Sequence, residues 1–170
     1  LLSARSGGRA GVIGGGLLGL EAAAGLSEQG MDVTVLHLMP TLMERQLDPA
    51  AGELLKRAVE ARGINVITKA NTHEIIGTDP ELGPPRVKAV RLEDGTLIPC
   101  DMVIMAVGIR ANAGIAKAAD LNINRGIVVS DDMRTSDPDI FALGECAEAC
   151  GQVFGLVAPL YEMANVVAAR

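Results

Sequence analysis

A chain of 170 residues, 49% of them hydrophobic, is long enough for one domain, or for one domain and part of a second. Its net charge is −6, and the sequence shows no basic cluster of the kind that follows a nucleic-acid backbone, so we expect no nucleic-acid partner. The uncharged stretches at residues 10–20 and 102–109 are too short to cross a bilayer, and nothing resembles a signal peptide. We therefore expect a cytoplasmic protein with no membrane partner.

The three cysteines are Cys100, Cys146 and Cys150, which form neither an even set nor a CxxC pair. This pattern favours a reducing compartment over a disulfide framework. We expect all three to be structural or incidental, with no metal site among them. The chain does not begin with methionine, and residues 1–9 have the composition of a linker. We therefore expect a piece of a longer polypeptide.

The first part of the chain alternates strands and helices. The predicted elements are a strand at 12–13, a helix at 17–29, a strand at 33–38, a helix at 48–63 and a strand at 64–68. Asp48 and Pro49 mark the second helix start as N-cap and first-turn proline. This order predicts a parallel sheet with right-handed crossovers.

After residue 68 the pattern changes to short segments. We predict strands at 75–76, 86–93 and 96–99, separated by two prolines and then by Asp94-Gly95, which is a strong hairpin signal. These segments predict a three-stranded antiparallel meander laid over the parallel sheet. Residues 102–107 then predict a fully buried strand that returns to that sheet.

The last part of the chain predicts a small helix at 112–119, strands at 127–129 and 140–143, and a helix at 159–169. These two strands cannot form a sheet with a core by themselves, so they require neighbours. In this chain alone, we expect them to be covered in a homo-oligomer or to leave the tail mobile.

Three glycines follow the first predicted strand in the pattern GxGxxG: Gly14, Gly16 and Gly19. The first permits a tight turn, the second lets backbone approach a pyrophosphate, and the third lets helix and strand pack closely. The helix start at Leu17 and Leu18 adds free N–H groups and a partial positive charge. The sequence therefore predicts dinucleotide binding here, and the alternative is an ordinary strand-to-helix turn.

An acidic residue about twenty positions after these glycines is expected to bind the adenosine ribose. Asp32 has that spacing, but it lies at the start of the second strand, so we interpret it as a surface turn residue. His37 lies at the carboxyl end, where it would bind the ribose hydroxyls if neutral, or a 2′-phosphate together with Arg45 if protonated. A solvated His37 with no role is the alternative, and the preference between NAD and NADP stays open.

The segments GGGLLGLE, LEDGTLIPCDMVIMAVGIRAN and RGIVVSDDMRTSDPDIFALGEC resemble the FAD-dependent pyridine nucleotide-disulphide oxidoreductase family across nearly the whole chain. Within it, VTVLHLMPTLMERQLD and FALGECAE are most similar to the nitrite reductase branch. The resemblance implies an α/β fold after a linker at 1–9. A Rossmann-like NAD(P)H-binding domain would occupy 10–107, and the C-terminal portion of a split FAD-binding domain would occupy 108–170.

The resemblance also implies further cofactor-binding residues. Glu21 would lie near the nicotinamide, and Gly108 and Gly144 would lie in cofactor-binding turns. Glu145 would bind the ribitol of FAD at a position where most relatives have aspartate. Ala111 stands where relatives have proline after the arginine of AVGIR.

The implied function is to bind NAD(P)H and to position its nicotinamide for hydride transfer to FAD, which only the full-length protein would bind. The implied partners are an N-terminal FAD segment and downstream metal-centre domains of the same polypeptide. No side chain of this chain would act as a catalytic acid or base. Since this chain has no set of cysteines for an iron–sulfur cluster or sirohaem, we do not expect the chain to reduce nitrite by itself.

Two alternatives follow. One is a reductase of a small electron carrier such as rubredoxin or ferredoxin, with the same fold and electron donor. The other is a non-catalytic module that senses NAD(H).

Overall fold

The computed structural model describes residues 7–79, 81 and 83–169. The predicted linker at 1–9 lies mostly outside these residues, and Arg9 is the first residue of a strand. The chain divides into two compact units, one up to Gly108 and the other from Ile109.

The helices and strands follow in this order: β1 (Arg9–Ile13), α1 (Leu17–Glu28), β2 (Asp32–His37), α2 (Pro49–Glu60), β3 (Asn65–Thr68), β4 (Thr72–Gly77), β5 (Val87–Leu92), β6 (Leu97–Pro99), β7 (Met102–Met105), α3 (Gly114–Ala118), β8 (Ile127–Val129), β9 (Ala147–Ala149), β10 (Gln152–Val153) and α4 (Val157–Ala168).

The first unit contains a four-stranded parallel sheet in the order β3-β2-β1-β7. Its central strands, β1 and β2, are buried, and the side chains of Val12, Val33 and Val35 are each 0% exposed. After their exposed first residues, β1 and β2 are buried at nearly every position, as expected of strands that are covered on both faces. The predicted parallel sheet is confirmed, and its carboxyl ends carry the glycine loop and the turn after β2.

The two helices of this unit begin in different ways. At α2 the Asp48 carboxylate accepts a hydrogen bond of 2.8 Å from the Ala51 N–H, and Pro49 has no N–H that would need a partner. The predicted N-cap Asp48 and first-turn Pro49 of α2 are therefore confirmed. At α1 the N-cap is Gly16, which has no side chain to cap the helix.

The predicted meander is confirmed as the antiparallel sheet β4-β5-β6. Its β5–β6 turn has Gly95 at a φ of +87°, which glycine adopts without strain, and Asp94 accepts a bond from the Thr96 N–H. Val90 and Cys100 of this region pack in one apolar cluster with Leu36 of β2. The cluster joins the meander to the parallel sheet.

The prediction of a fully buried strand at 102–107 is wrong. β7 ends at Met105, and the side chains of Met105 and Val107 are each 63% exposed. Within the described part of the chain β7 pairs only with β1, at the edge of the sheet. An apolar run does not reveal from sequence whether both sides of a strand are covered.

The predicted strand at 140–143 is also wrong. Phe141 forms only an isolated bridge with Arg134, and the Thr135 N–H donates to the Ile140 carbonyl. The Asp137 carboxylate accepts a bond from the Asp139 N–H and stabilises the turn that precedes this stretch.

The neighbour of β8 is instead β9, which pairs with it in parallel and with β10 antiparallel. The expectation that β8 lacks a neighbouring strand within this chain, which was the reason to expect self-association, is therefore wrong. A homo-oligomer stays a prediction.

The predicted helices of the second unit are confirmed as α3 and α4, with α4 beginning two residues before the predicted start. Val129, Met133, Ala147 and Met163 share the small core of this unit. Among the described residues, no helix combines the length and apolar character needed to cross a membrane.

Candidate functional site

Two glycines of the GxGxxG motif are required by the fold itself. Gly14 has a φ of +115°, and a Cβ there would overlap the carbonyl oxygen of Ala106. A Cβ on Gly19 would overlap the carbonyl oxygen of Gly14. The tight turn accounts for Gly14, and the close packing of α1 against the sheet accounts for Gly19. Neither glycine needs a ligand to explain it.

Gly16 differs from both. Its φ of −85° and ψ of −174° are accessible to any residue, and among the described residues no atom beyond Gly16 and its two chain neighbours lies within 4 Å of the position that a Cβ would occupy. Neither backbone geometry nor packing therefore requires glycine here. The open space lies directly at the first turn of α1.

The start of α1 has the features of an anion site. The first bond of the helix runs from the Leu20 N–H to the Gly16 carbonyl, so the N–H groups of Leu17, Leu18 and Gly19 have no partner within the helix. No acidic side chain lies in the first turn. Uncapped N–H groups with a partial positive charge favour a phosphate.

Gly15, which lies between the first two glycines of the motif, is held by residues at and after the end of β2. Its N–H donates to His37 Nδ1 over 3.0 Å, and its carbonyl accepts a bond from the Met43 N–H. A Cβ at Gly15 would come within 2.8 Å of His37 Cγ. The glycine loop is thus built against His37.

His37 itself is only 7% exposed, so the alternative of a solvated histidine is wrong. Because Nδ1 accepts a bond, the ring proton lies on Nε2, which donates to Glu44 Oε2 over 3.0 Å. Both ring nitrogens are therefore engaged within the chain. The Glu44 side chain keeps 33% of its surface exposed.

Sequence reasoning missed Glu44. It lies seven residues after His37 in an irregular turn, and no motif spacing connects the two residues. The only signal was an acidic residue within the segment LMERQLD, which is not distinctive by itself.

Asp32 and Arg45, the other residues considered for the ribose, make no hydrogen bond or ion pair with His37 or Glu44 in the part of the chain that the structure describes. Asp32 is the exposed first residue of β2 and accepts a bond of 3.4 Å from the Asn65 amide, in agreement with a surface role. Arg45 is exposed. Lys69, which sequence reasoning did not consider, is exposed just after β3, and its N–H donates to the Met39 carbonyl.

Glu21 and Gly108 are the remaining predicted site residues of the first unit. Glu21 is exposed on α1, one turn after Leu17. Gly108 has a φ of +100° with no atom within 4 Å of a Cβ position, and it follows the exposed end of β7. Both are accessible, and their cofactor contacts stay predictions.

In the second unit, the predicted residues lie in the turn before β9. Gly144 has a φ of +88°, its carbonyl accepts a bond from the Ala147 N–H, and Glu145 is exposed. The buried acid is Glu148, which is 4% exposed. Sequence reasoning did not single it out, because a glutamate in the short strand AEA carries no local signal.

Glu148 accepts three hydrogen bonds: 3.0 Å from the Gly126 N–H, 2.9 Å from the Asn124 amide and 2.7 Å from the Arg125 N–H. The Gly126 bond is the main cause that holds the pKa of this carboxyl below its ordinary value. Glu148 thus fixes the loop before β8.

The cysteines have no shared site. Cys100 is buried, and burial raises the pKa of its thiol. Cys146 donates to the Leu143 carbonyl over 3.3 Å, and Cys150 is exposed. All three are free thiols, and the described residues contain no group of three or more side chains able to hold a metal ion.

Longer known proteins contain a region that is similar to this chain in sequence and in fold. The family model described as pyridine nucleotide-disulphide oxidoreductase matches residues 2–169. The chain is 53% identical over 160 residues to the NAD(P)H nitrite reductase of Bacillus subtilis strain 168, covering 94% of this chain and 19% of that protein.

The chain is also 36% identical over 156 residues to rubredoxin-NAD(+) reductase of Pseudomonas putida, covering 92% of this chain and 39% of the relative. In the solved covalent putidaredoxin reductase–putidaredoxin complex, the matching chain is 30% identical with a TM-score of 0.85, covering 98% of this chain and 42% of that one. The chain spans about a fifth of the length of the nitrite reductase relatives.

Proposed function

Because the chain belongs to the pyridine nucleotide-disulphide oxidoreductase family, we propose that residues 10–107 bind NAD(P)H at the glycine loop. In the same proposal, residues 108–170 are part of an FAD-binding domain that is completed elsewhere in a longer flavoprotein. The chain would then bring the nicotinamide of the electron donor to the flavin.

The conformation of Gly16 carries this proposal. The tight turn requires Gly14 and the packing of α1 requires Gly19, whereas no contact among the described residues requires Gly16 to lack a side chain. Serine, threonine, aspartate or asparagine at the N-cap would bond, with its side chain, an N–H group that α1 leaves free, whereas glycine leaves these groups open to a ligand. A diphosphate that contacts the backbone explains both the missing side chain and the missing cap.

The residues of the chain contribute binding and orientation. The N–H groups at Leu17 and Leu18 would donate to the diphosphate, and the contacts of His37 and Met43 with Gly15 hold the loop in place. Bound NAD(P)H would supply the hydride, and FAD would accept it in the full-length protein. Glu21 lies near the nicotinamide in this proposal, and no side chain needs to act as an acid or base.

The 53% identity to a nitrite reductase favours that branch of the family, in which electrons would pass on to metal centres in other domains of the polypeptide. A second candidate is the reductase of a small electron carrier. The TM-score of 0.85 to a putidaredoxin reductase over 98% of the chain supports this alternative.

Binding of NADH and NADPH to the chain tests the proposal by calorimetric titration. Gly16→Ala should weaken the binding of the preferred cofactor about tenfold or more, because the methyl group occupies the space for the diphosphate. The matched control is Gly25→Ala, on the same helix and also with open space around its Cβ position. This variant should bind like the parent chain.

Two results would contradict the proposal. One is a parent chain that binds neither NADH nor NADPH. The other is a Gly16→Ala variant whose affinity equals that of Gly25→Ala. A full-length protein that binds NAD(H) but shows no diaphorase activity would instead favour a sensing module.

A further inference from the structure

The residue at the carboxyl end of β2 is not available to a ribose. His37 occupies this position, where a dinucleotide site usually places an acid. Its Nδ1 accepts the Gly15 N–H and its Nε2 donates to Glu44, so no ring nitrogen remains for a ribose hydroxyl. The same contacts, however, bring a carboxylate to the end of this strand.

We propose that Glu44 is the acid that faces the adenosine ribose and that it makes the site prefer NAD(H) over NADP(H). This inference rests on the proposed binding of a dinucleotide at the glycine loop. A carboxylate accepts hydrogen bonds from the vicinal hydroxyls of an NAD ribose. In NADP a phosphate replaces one of these donors, and its negative charge is repelled by the carboxylate.

The contacts of Glu44 suit this role. Its Oε2 is fixed by the 3.0 Å bond to His37, and its side chain keeps 33% of its surface exposed. Among the described residues no second group bonds this carboxylate, so Oε1 keeps its capacity to accept. His37 therefore acts as a positioning residue, because it holds Glu44 and the Gly15 N–H with its two nitrogens.

Two cations near this end of the sheet would favour the opposite preference. Arg45 follows Glu44 in the chain, and Lys69 follows β3. Both are exposed, and in the part of the chain that the structure describes no hydrogen bond or ion pair holds either side chain at the end of β2. Glu44 is held there, which is why we assign the preference to the acid.

The dissociation constants of NADH and NADPH for Glu44→Gln test this inference. Glutamine retains an oxygen that accepts the His37 Nε2–H but removes the negative charge. We expect NADH to bind more weakly, NADPH to bind more tightly, and the ratio of the two constants to change about tenfold. Glu28→Gln is the matched control, because Glu28 is exposed at the opposite end of α1.

His37→Asn is a second variant, since its side-chain oxygen can accept the Gly15 N–H while Glu44 loses its partner. Its preference for NADH should also fall, by less than in Glu44→Gln. Thermal melts of both variants establish that they are folded before their affinities are compared. The Glu28→Gln control should keep the ratio of the parent chain.

A parent chain that prefers NADPH would overturn the inference, and so would a folded Glu44→Gln variant with an unchanged ratio. In either case cofactor binding, and with it the proposed function, would still stand. A parent chain that binds neither cofactor would overturn the proposed function, and this inference with it.

Discussion

Each unit of the molecule has a loop held by a side chain from a neighbouring segment, and the two loops use their acids differently. In the second unit Glu148 bonds the loop directly and is buried with three donors around it. In the first unit His37 stands between the Gly15 N–H and Glu44, whose side chain stays one-third exposed.

This difference separates an acid used for structure from one available to a ligand. All the bonds of Glu148 go to its own chain, so it has nothing to offer a cofactor. In the first unit the loop backbone donates to the His37 imidazole and not to Glu44. Only one oxygen of Glu44 is therefore bonded. The number of partners around a carboxylate thus indicates its role better than its position in a sequence motif.

The largest effect is expected for the backbone of the glycine loop in the first unit. Gly14→Ala places a Cβ against the Ala106 carbonyl at a φ of +115°, so both sterics and backbone strain oppose it. We expect a loss of about 3 kcal/mol or more in the free energy of unfolding, measured with urea. Gly16→Ala, with open space around it, should stay within about 0.5 kcal/mol of the parent chain.

The next largest effect is expected for the acid of the second unit. In Glu148→Gln the amide NH₂ replaces one of the two accepting oxygens and faces the donor or donors bound there, so this unit should unfold at a lower urea concentration. Because the pKa of Glu148 is lowered from 4.5, its stabilisation is present above that value and is lost as pH falls through the folded pKa. The variant should therefore lose less stability than the parent chain between about pH 6 and pH 3.

Glu145→Gln is the control for this prediction, because Glu145 is exposed in the adjacent turn. It should leave both the urea midpoint and its pH dependence unchanged. Equal acid sensitivity in Glu148→Gln and the parent chain would show that Glu148 does not hold the loop through its charge.

A smaller effect is expected for His37→Leu, which removes the acceptor of the Gly15 N–H. An unpaired buried N–H costs about 1–3 kcal/mol in the free energy of unfolding. His37→Asn should lose less, because its amide oxygen can take this bond. The only other histidine is His73, which is exposed, and His73→Asn should have no effect. Equal losses in both His37 variants would mean that packing, not the bond, stabilises the loop.

The smallest effect is expected for Gly25→Ala. This position lies within α1 with open space around it, so alanine should raise the free energy of unfolding by about 0.5–1 kcal/mol. Thermal denaturation would detect this as a higher Tm. A lower Tm would mean that the surface of α1 needs glycine for a reason that its packing does not show.

Much of the fold follows from local patterns. The apolar strand before GxGxxG, the Asp48-Pro49 helix start and the Asp94-Gly95 turn all act over a few residues, and each is found as predicted. The strand expected at 140–143 was wrong because four apolar residues in a row do not distinguish a strand from irregular chain with a single bridge. β9 was missed because its sequence AEA has no β-branched or aromatic residue.

The site was less predictable for a physical reason. The glycine pattern identifies a loop, but the bonds that hold this loop join residues 22 and seven positions apart in the chain. Likewise, Glu148 meets the Gly126 N–H across 22 positions. Such contacts depend on the register of strands, which residue spacing alone does not reveal.

The most direct test of the central claim is the change in backbone amide NMR shifts when NADH is added to the chain. We expect the amides of Gly16, Leu17 and Leu18 to shift most, because their N–H groups would meet the diphosphate. Saturating binding that leaves these three amides unchanged, or that shifts a distant surface instead, would contradict it.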